Sequence, residues 1–282
     1  MMWITSAAGI ILFFLAVLAF CVAPGKMPPE AKKTAGVFFG LNCAHRGLHT
    51  GDRQVPENSL SAFAAARKAG YGVELDVRLS KDGQVVVFHD DDLKRVCGAD
   101  SPVDTLDWQA LSVLPLFGSQ ECIPLFTSVL EVLGDTSVIV EIKSAEEKNA
   151  QLCQMTLDIL RAHGGWWCVE SFDPRVVAWF RKNAPDVLRG QLSTPVRKFD
   201  TISKPKAFVL GNVLANCISR PHFLAYSADP LPLAARLCRA MQPMTAVWTV
   251  RPGCDITRCE QEHDVVIFEC YTPAPRFKFN AA

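Results

Sequence analysis

The chain has 282 residues, 49% of them hydrophobic, and its 29 Lys and Arg balance 29 Asp and Glu at a formal net charge of zero. That balance, with no basic stripe, excludes a nucleic-acid footprint. Eleven cysteines, an odd number scattered without C-x-x-C pairs, fit reduced thiols in a cytosol better than a disulfide framework or a zinc site.

In chain order, Met1 to Gly25 carry no charged side chain, and GIILFFLAVLAFCVA is continuously apolar after its glycine. With the upstream MWITSAA this run reaches the roughly 20 residues that span a bilayer. It lacks the basic leader and the small-x-small site of a cleaved signal peptide. The expectation is one N-terminal transmembrane helix over residues 1–25, retained as an anchor. Lys26, Lys32 and Lys33 follow it, so the positive-inside bias puts the rest of the chain in the cytoplasm. Residues 26–38 then form a juxtamembrane linker facing anionic headgroups, and residues 39–282 the folded domain.

Strand-like runs recur at 41–46, 72–78, 84–89, 137–142, 166–171, 187–192, 223–227 and 244–250, mostly separated by helix-compatible stretches. KNAQLCQMTLDILRAH and PRVVAWFRKN carry apolar residues at helical spacing, and the alternation predicts a parallel α/β architecture. The length left after the anchor fits one closed barrel of about 250 residues. Asn58 and Ser59 precede the helical run LSAFAAARKAG and read as its cap, with Asn58 also in reach of a nearby site. Only Ser80 to Gly83 separate ELDVRL from QVVVFHD, too few for a parallel crossover. SKDG reads as a hairpin turn, which predicts an antiparallel pair with His89 at the end opposite Asp76. Residues 91–124 are expected to form a short excursion over the mouth.

The segment from Cys43 to Asp90 concentrates reactive groups. His45 and His89 are suited to proton transfer near neutral pH. Glu74 and Asp76, one residue apart on a strand, point to the same face and suit a hard cation such as magnesium, calcium or manganese. In SVIVEIKS, Glu141 and Lys143 again share a face.

Read together, these residues resemble the glycerophosphodiester phosphodiesterase family, whose pattern is H-R-G, P-E-N-T/S, E-x-D, K-D-G, H-D and later E-x-K. Here they stand as His45-Arg46-Gly47, Pro56-Glu57-Asn58-Ser59, Glu74-Leu75-Asp76, Lys81-Asp82-Gly83, His89-Asp90 and Glu141-Ile142-Lys143, all in order. VESFDP and VWTVR are weaker echoes, so the resemblance covers roughly residues 41 to 251. It implies a TIM-type (β/α)8 barrel of the phosphatidylinositol-phospholipase-C-like phosphodiesterase kind, with an irregular link between second and third strands.

The resemblance further implies metal-dependent hydrolysis of glycerophosphodiesters to an alcohol and glycerol 3-phosphate. One divalent cation (Mg2+, Ca2+ or Mn2+) would be held by Glu74, Asp76 and Glu141, with His45 and His89 as the acid-base pair. Arg46 and Lys143 would bind the phosphoryl group. Which histidine is base, and whether water or a neighbouring glycerol hydroxyl attacks, stay open. Trp248 and Phe172 read equally as groove lining or as core aromatics, and Glu57 as a partner that orients the site. Towards the C-terminus the family's apolar strand ending in Thr-Asp and a later proline is replaced by DVVIFECYTPAP; Glu269 stands near the usual aspartate, but Phe268 and Cys270 depart from the pattern, so that segment is assigned no catalytic role. Substrates would be glycerophosphodiesters or lysolipids, with the membrane reached through the N-terminal helix and no obligatory protein partner. Two rivals are a lysophospholipase D- or phospholipase C-like enzyme acting on membrane lipid, and a catalytically inactive tethered scaffold.

Overall fold

The computed structural model describes residues 2–278, with side chains from residue 9 onward. Residue 1 of the expected anchor and residues 279–282 of the expected barrel domain lie outside the described residues. The strands are β1 (Leu41–His45), β2 (Gly72–Leu79), β3 (Val85–Val87), β4 (Val138–Ile142), β5 (Trp167–Ser171), β6 (Arg189–Ser193), β7 (Phe223–Ser227), β8 (Met244–Val250) and β9 (Val265–Phe268). The helices are α1 (Met2–Val22), α2 (Pro29–Phe38), α3 (Leu60–Ala69), α4 (Lys94–Cys97), α5 (Trp108–Leu111), α6 (Phe126–Leu133), α7 (Asn149–His163), α8 (Pro174–Asn183), α9 (Lys204–Gly211), α10 (Asn216–Ser219), α11 (Leu233–Ala240) and α12 (Ile256–Glu262).

Strands β1, β2, β4, β5, β6, β7, β8 and β9 pair in parallel in that order. The ring closes where Leu41 to Ala44 of β1 lie against Val265 to Phe268 of β9. This is the expected eight-stranded (β/α)8 barrel, with two corrections to its membership. The eighth strand is β9, which the strand-like runs omitted. The 84–89 run is not a barrel strand: β3 pairs antiparallel with the far end of β2, from Val77↔Val87 to Leu79↔Val85.

Alternation along each strand divides the apolar residues into two cores. Cys43, Ile139, Leu188, Phe223, Ala246 and Ile267 fill the barrel interior, while Val73, Leu75, Val140, Val169, Val247 and Val266 face the surrounding helices. Phe38 and Ala31 of α2 are fully buried in the interior cluster, so this helix closes the barrel at its N-terminal end. The excursion has its own small core, in which Val86 and Phe88 meet Leu93, Val96, Val103, Leu111, Leu116 and Ile123. Local signals behave as the residues dictate: Ser59 Oγ accepts from the Ala62 amide at the start of α3, and Gly70 ends that helix in the left-handed conformation.

The expected membrane anchor is overturned. Among the described residues, no helix is long and apolar enough to cross a membrane. The physical reason lies in the last turn of α1, which is seated on protein. Val22 is fully buried with Val213, Leu224, Tyr226, Ala235 and Cys238, and Leu18 packs against the same group. Asn216 Nδ2 donates to the Val22 carbonyl at 3.0 Å. Arg220 donates to the carbonyls of Phe20 and Ala23, both at 3.0 Å, and lies over the Phe20 ring. A cation on otherwise orphaned carbonyls completes a helix C-terminus. With these residues committed, the apolar run falls short of a span, and the cytoplasmic orientation argued from its flanking lysines loses its basis.

Candidate active site

Strand register sets the heights of the reactive groups. His45 of β1 lies beside Glu74 of β2, and Asp76 beside Glu141 of β4, which in turn lies beside Glu170 of β5. All four carboxyls are buried, and their side chains follow the interior parity of their strands. The antiparallel β3 does not carry His89 away from them. Asp76 sits mid-strand; β2 runs three residues past it, the SKDG turn reverses the chain, and β3 returns until the Phe88 amide bonds the Asp76 carbonyl at 3.0 Å. His89 therefore re-enters the same mouth. The hairpin expected from SKDG is present, and the separation of His89 from Asp76 expected with it is not.

Glu74, Asp76 and Glu141 each offer an oxygen within 4.8 Å of the others. Asp76 and Glu141 are bridged by Lys143, whose Nζ lies 2.9 Å and 2.7 Å from them. Arg46 approaches Asp76 at 3.5 Å and donates to Glu57 at 2.7 Å. Asn58 Nδ2 donates to Asp76 at 3.0 Å, while the next residue caps α3, so both readings of that pair hold. The turn that delivers Arg46 needs Gly47, at φ +81, where a Cβ would lie 2.8 Å from that of Ala62.

Charge in this cluster is uneven. Burial, then Asp76 and Glu141, push the Glu74 carboxyl well above the usual range; burial, then Glu141 and Asp76, do the same to Glu170. Asp76 is held well below it, because Lys143, His89 and Arg46 outweigh its burial. Four buried carboxyls thus face two fixed cations, Arg46 and Lys143. A hard divalent cation suits this donor set, since it offsets both the burial and the like-charge repulsion that raise the Glu74 carboxyl. The residues present fit such an ion.

Each histidine has a carboxylate behind it. Burial and the neighbouring Arg46 pull His45 down to about 4, so its ring is neutral at pH 7. Glu269 is kept ionised, its burial outweighed by His45 and Arg251, and an ionised carboxylate only accepts. The His45 proton therefore sits on Nδ1, which donates to Glu269 Oε2 at 2.9 Å, and Nε2 keeps its lone pair. Arg251 fixes the same Glu269 oxygen at 2.9 Å. At the other side, His89 Nδ1 lies 2.6 Å from Asp90 Oδ1. Asp90 is held below the carboxylate range because bonds from His89 and Arg95 outweigh its burial.

The mouth opens into a cavity of about 970 Å³ lined by His45, Arg46, His89, Glu141, Lys143 and Trp248 among others. Trp248 stands edge-on to Phe172 at 5.4 Å, and Phe172 edge-on to Phe199 at 6.0 Å, forming one aromatic wall. His45, Arg46, His89, Glu141, Lys143, Phe172 and Trp248 thus line one cavity, with Glu74 and Asp76 grouped against Glu141, while Lys81-Asp82-Gly83 stays apart in the turn between β2 and β3. Three residues that matter to the geometry of the mouth were given no role: Glu269, set aside because its surroundings depart from the family pattern; Glu170, present within VESFDP; and Arg95. The interior parity of Val265, Ile267 and Glu269 was the available signal for the first.

Comparison with known proteins agrees with this fold. The model of the glycerophosphoryl diester phosphodiesterase family matches residues 45–267. A Mycobacterium tuberculosis protein, probable glycerophosphodiester phosphodiesterase 2, is 38% identical over 103 residues, 36% of this chain and 38% of that protein. The chain spans well under half the length of the curated relatives it matches first. A Thermotoga maritima glycerophosphodiester phosphodiesterase superposes with a TM-score of 0.62 at 28% identity, covering 81% of this chain and 93% of that one. An Oleispira antarctica phosphodiesterase, solved with the product sn-glycerol-3-phosphate, gives a TM-score of 0.67 at 22% identity over 83% and 94% of the two chains, a likeness of fold. With a family model matched across nearly the whole barrel, from His45 on the first strand to Ile267 on the last, this chain belongs to the glycerophosphoryl diester phosphodiesterase family.

Proposed function

We propose that the chain hydrolyses glycerophosphodiesters to an alcohol and glycerol 3-phosphate, with residues 39–282 as the catalytic unit. The observation that carries this reading is that two histidine–carboxylate pairs, His45–Glu269 and His89–Asp90, open on the same mouth as a buried carboxylate trio. Glu74, Asp76 and Glu141 would hold one divalent cation, Mg2+, Ca2+ or Mn2+, which when bound supplies a Lewis acid for the phosphoryl oxygens. Arg46 and Lys143, whose side chains are largely buried, would neutralise charge growing on those oxygens. One histidine takes a proton at Nε2 from the attacking hydroxyl, of water or of the adjacent glycerol carbon, and the other gives one to the departing alcohol oxygen; where the glycerol hydroxyl attacks, the product is a cyclic phosphate, which water then opens to glycerol 3-phosphate with the two proton-transfer roles exchanged. The bond from phosphorus to that oxygen breaks as the new one forms. Trp248 and its aromatic neighbours bound the side of the cavity that receives the apolar part of the substrate.

The test is glycerol 3-phosphate release by the whole chain from a panel of glycerophosphodiesters, with chelator and then with each of the three cations. Release that chelation abolishes and a cation restores is the expected result. No release from any diester with any cation overturns the reading. Turnover confined to lysolipids would retain the chemistry and change the substrate.

A further inference from the structure

Arg95 belongs to α4, in the excursion outside the barrel, yet its guanidinium reaches the mouth. It donates to both oxygens of Glu57, at 2.9 Å and 2.7 Å, and to both oxygens of Asp90, at 2.6 Å and 3.1 Å. Glu57 Oε1 also accepts from Arg46 at 2.7 Å, and Asp90 Oδ1 from His89 at 2.6 Å. One unbroken chain of charge-assisted bonds therefore runs Arg46, Glu57, Arg95, Asp90, His89. We infer that Arg95 is a positioning residue that locks the phosphate-facing Arg46 and the proton-transferring His89 into a common geometry; this rests on the function proposed above for those two side chains.

Two features make the assignment specific. Only a planar guanidinium offers enough fixed donors to hold two carboxylates through two oxygens each, and an ammonium on a flexible stem cannot reproduce that fork. The helix that presents it is itself pinned: Leu93 and Val96 on either side of Arg95 are buried in the excursion's own core, and the guanidinium lies 5.7 Å from the Phe117 ring. Without Arg95, Glu57 and Asp90 lose the cation between them and are free to turn to solvent. Arg46 and His89 would then keep their identities and lose their orientation. Arg95 is not among the residues that line the cavity, so its effect passes through those neighbours.

The experiment compares Arg95→Met, Arg95→Lys and Arg95→Ala in the whole, metal-supplied protein, with His89→Ala alone and combined with Arg95→Met. Loss of an orienting partner typically costs roughly 10–100-fold, and that fall is expected in kcat for all three Arg95 variants, with KM moving by only a few-fold. Added guanidinium should restore part of the kcat of Arg95→Ala and none of that of Arg95→Met, whose side chain fills the space. In the His89→Ala background the Arg95 change should cost much less than it does alone. A kcat within about twofold of the parent for Arg95→Met overturns the inference, as does a fall that tracks loss of folded protein without guanidinium rescue. Undiminished activity in His89→Ala would instead overturn the underlying role of His89, which keeps the two failures apart.

Discussion

In the proposed reaction the Glu269 carboxylate would have two tasks that a neutral amide performs badly: holding the His45 proton on Nδ1 and offsetting the charge that His45 would acquire if Nε2 took a second one. An amide can still accept from Nδ1–H, but it supplies no countercharge and leaves Arg251 facing a dipole. Glu269→Gln is therefore expected to lower kcat by about 10–100-fold with KM little changed, read by steady-state kinetics with cation present; a kcat like that of the parent would return Glu269 to a structural role. His45, Arg46, Glu74, Asp76, His89, Glu141 and Lys143 were legible because each stands in a short motif whose spacing survives in one dimension. Glu269 was not, because its contact with His45 crosses 224 residues and exists only through the closure of β9 onto β1. The parity of Val265, Ile267 and Glu269 could place that side chain in the barrel interior, but no local pattern names a partner that arrives by ring closure.

At the level of elements, the barrel strands were readable as apolar runs, and the SKDG reversal was readable from its turn chemistry. What could not be read was how far β2 overshoots the mouth, because Val77, Arg78 and Leu79 continue the same alternation past Asp76. The short β9 was missed for the opposite reason: four apolar residues without flanking alternation do not separate a strand from a helix end. Inside the barrel, packing depends on matched sizes on adjacent strands. Gly190 of β6 lies beside Phe223 of β7, and a Cβ at Gly190 would come within 2.1 Å of the ring. Phe223 is fully buried, so the ring has no free volume to enter. Gly190→Ala should destabilise by about 1–3 kcal/mol, the usual cost of overpacking. Adding Phe223→Leu should return part of that loss, a coupling expected of side chains in contact. Urea midpoints of the single and double variants measure it, and simple additivity would mean that the interior yields at this layer.

Across the whole molecule, the base of the barrel joins segments far apart in sequence, and a buried histidine lies in that seam. The Gly25 amide bonds the Pro221 carbonyl at 2.7 Å, and the His222 amide bonds the Arg189 carbonyl at 2.8 Å. His222 is 1% exposed, and burial, then the adjacent Arg189, pull it from 6.5 down to about 3. The native ring thus stays neutral where an unfolded chain would bind a proton. Between pH 6.5 and about 3 the unfolded state holds that extra proton, so this contribution is complete above 6.5 and is lost progressively as pH falls through the window. The loss approaches about 1.4 kcal/mol per pH unit as an upper bound. Replacing His222 with Asn removes the titration while leaving a polar side chain of similar reach. Between pH 6.5 and 5 the parent should therefore lose up to roughly 2 kcal/mol more stability than His222→Asn, whatever the carboxylates common to both chains contribute. Urea unfolding of both at the two pH values gives that difference directly. Parallel pH dependence would mean that the seam opens enough to let the ring be protonated in place.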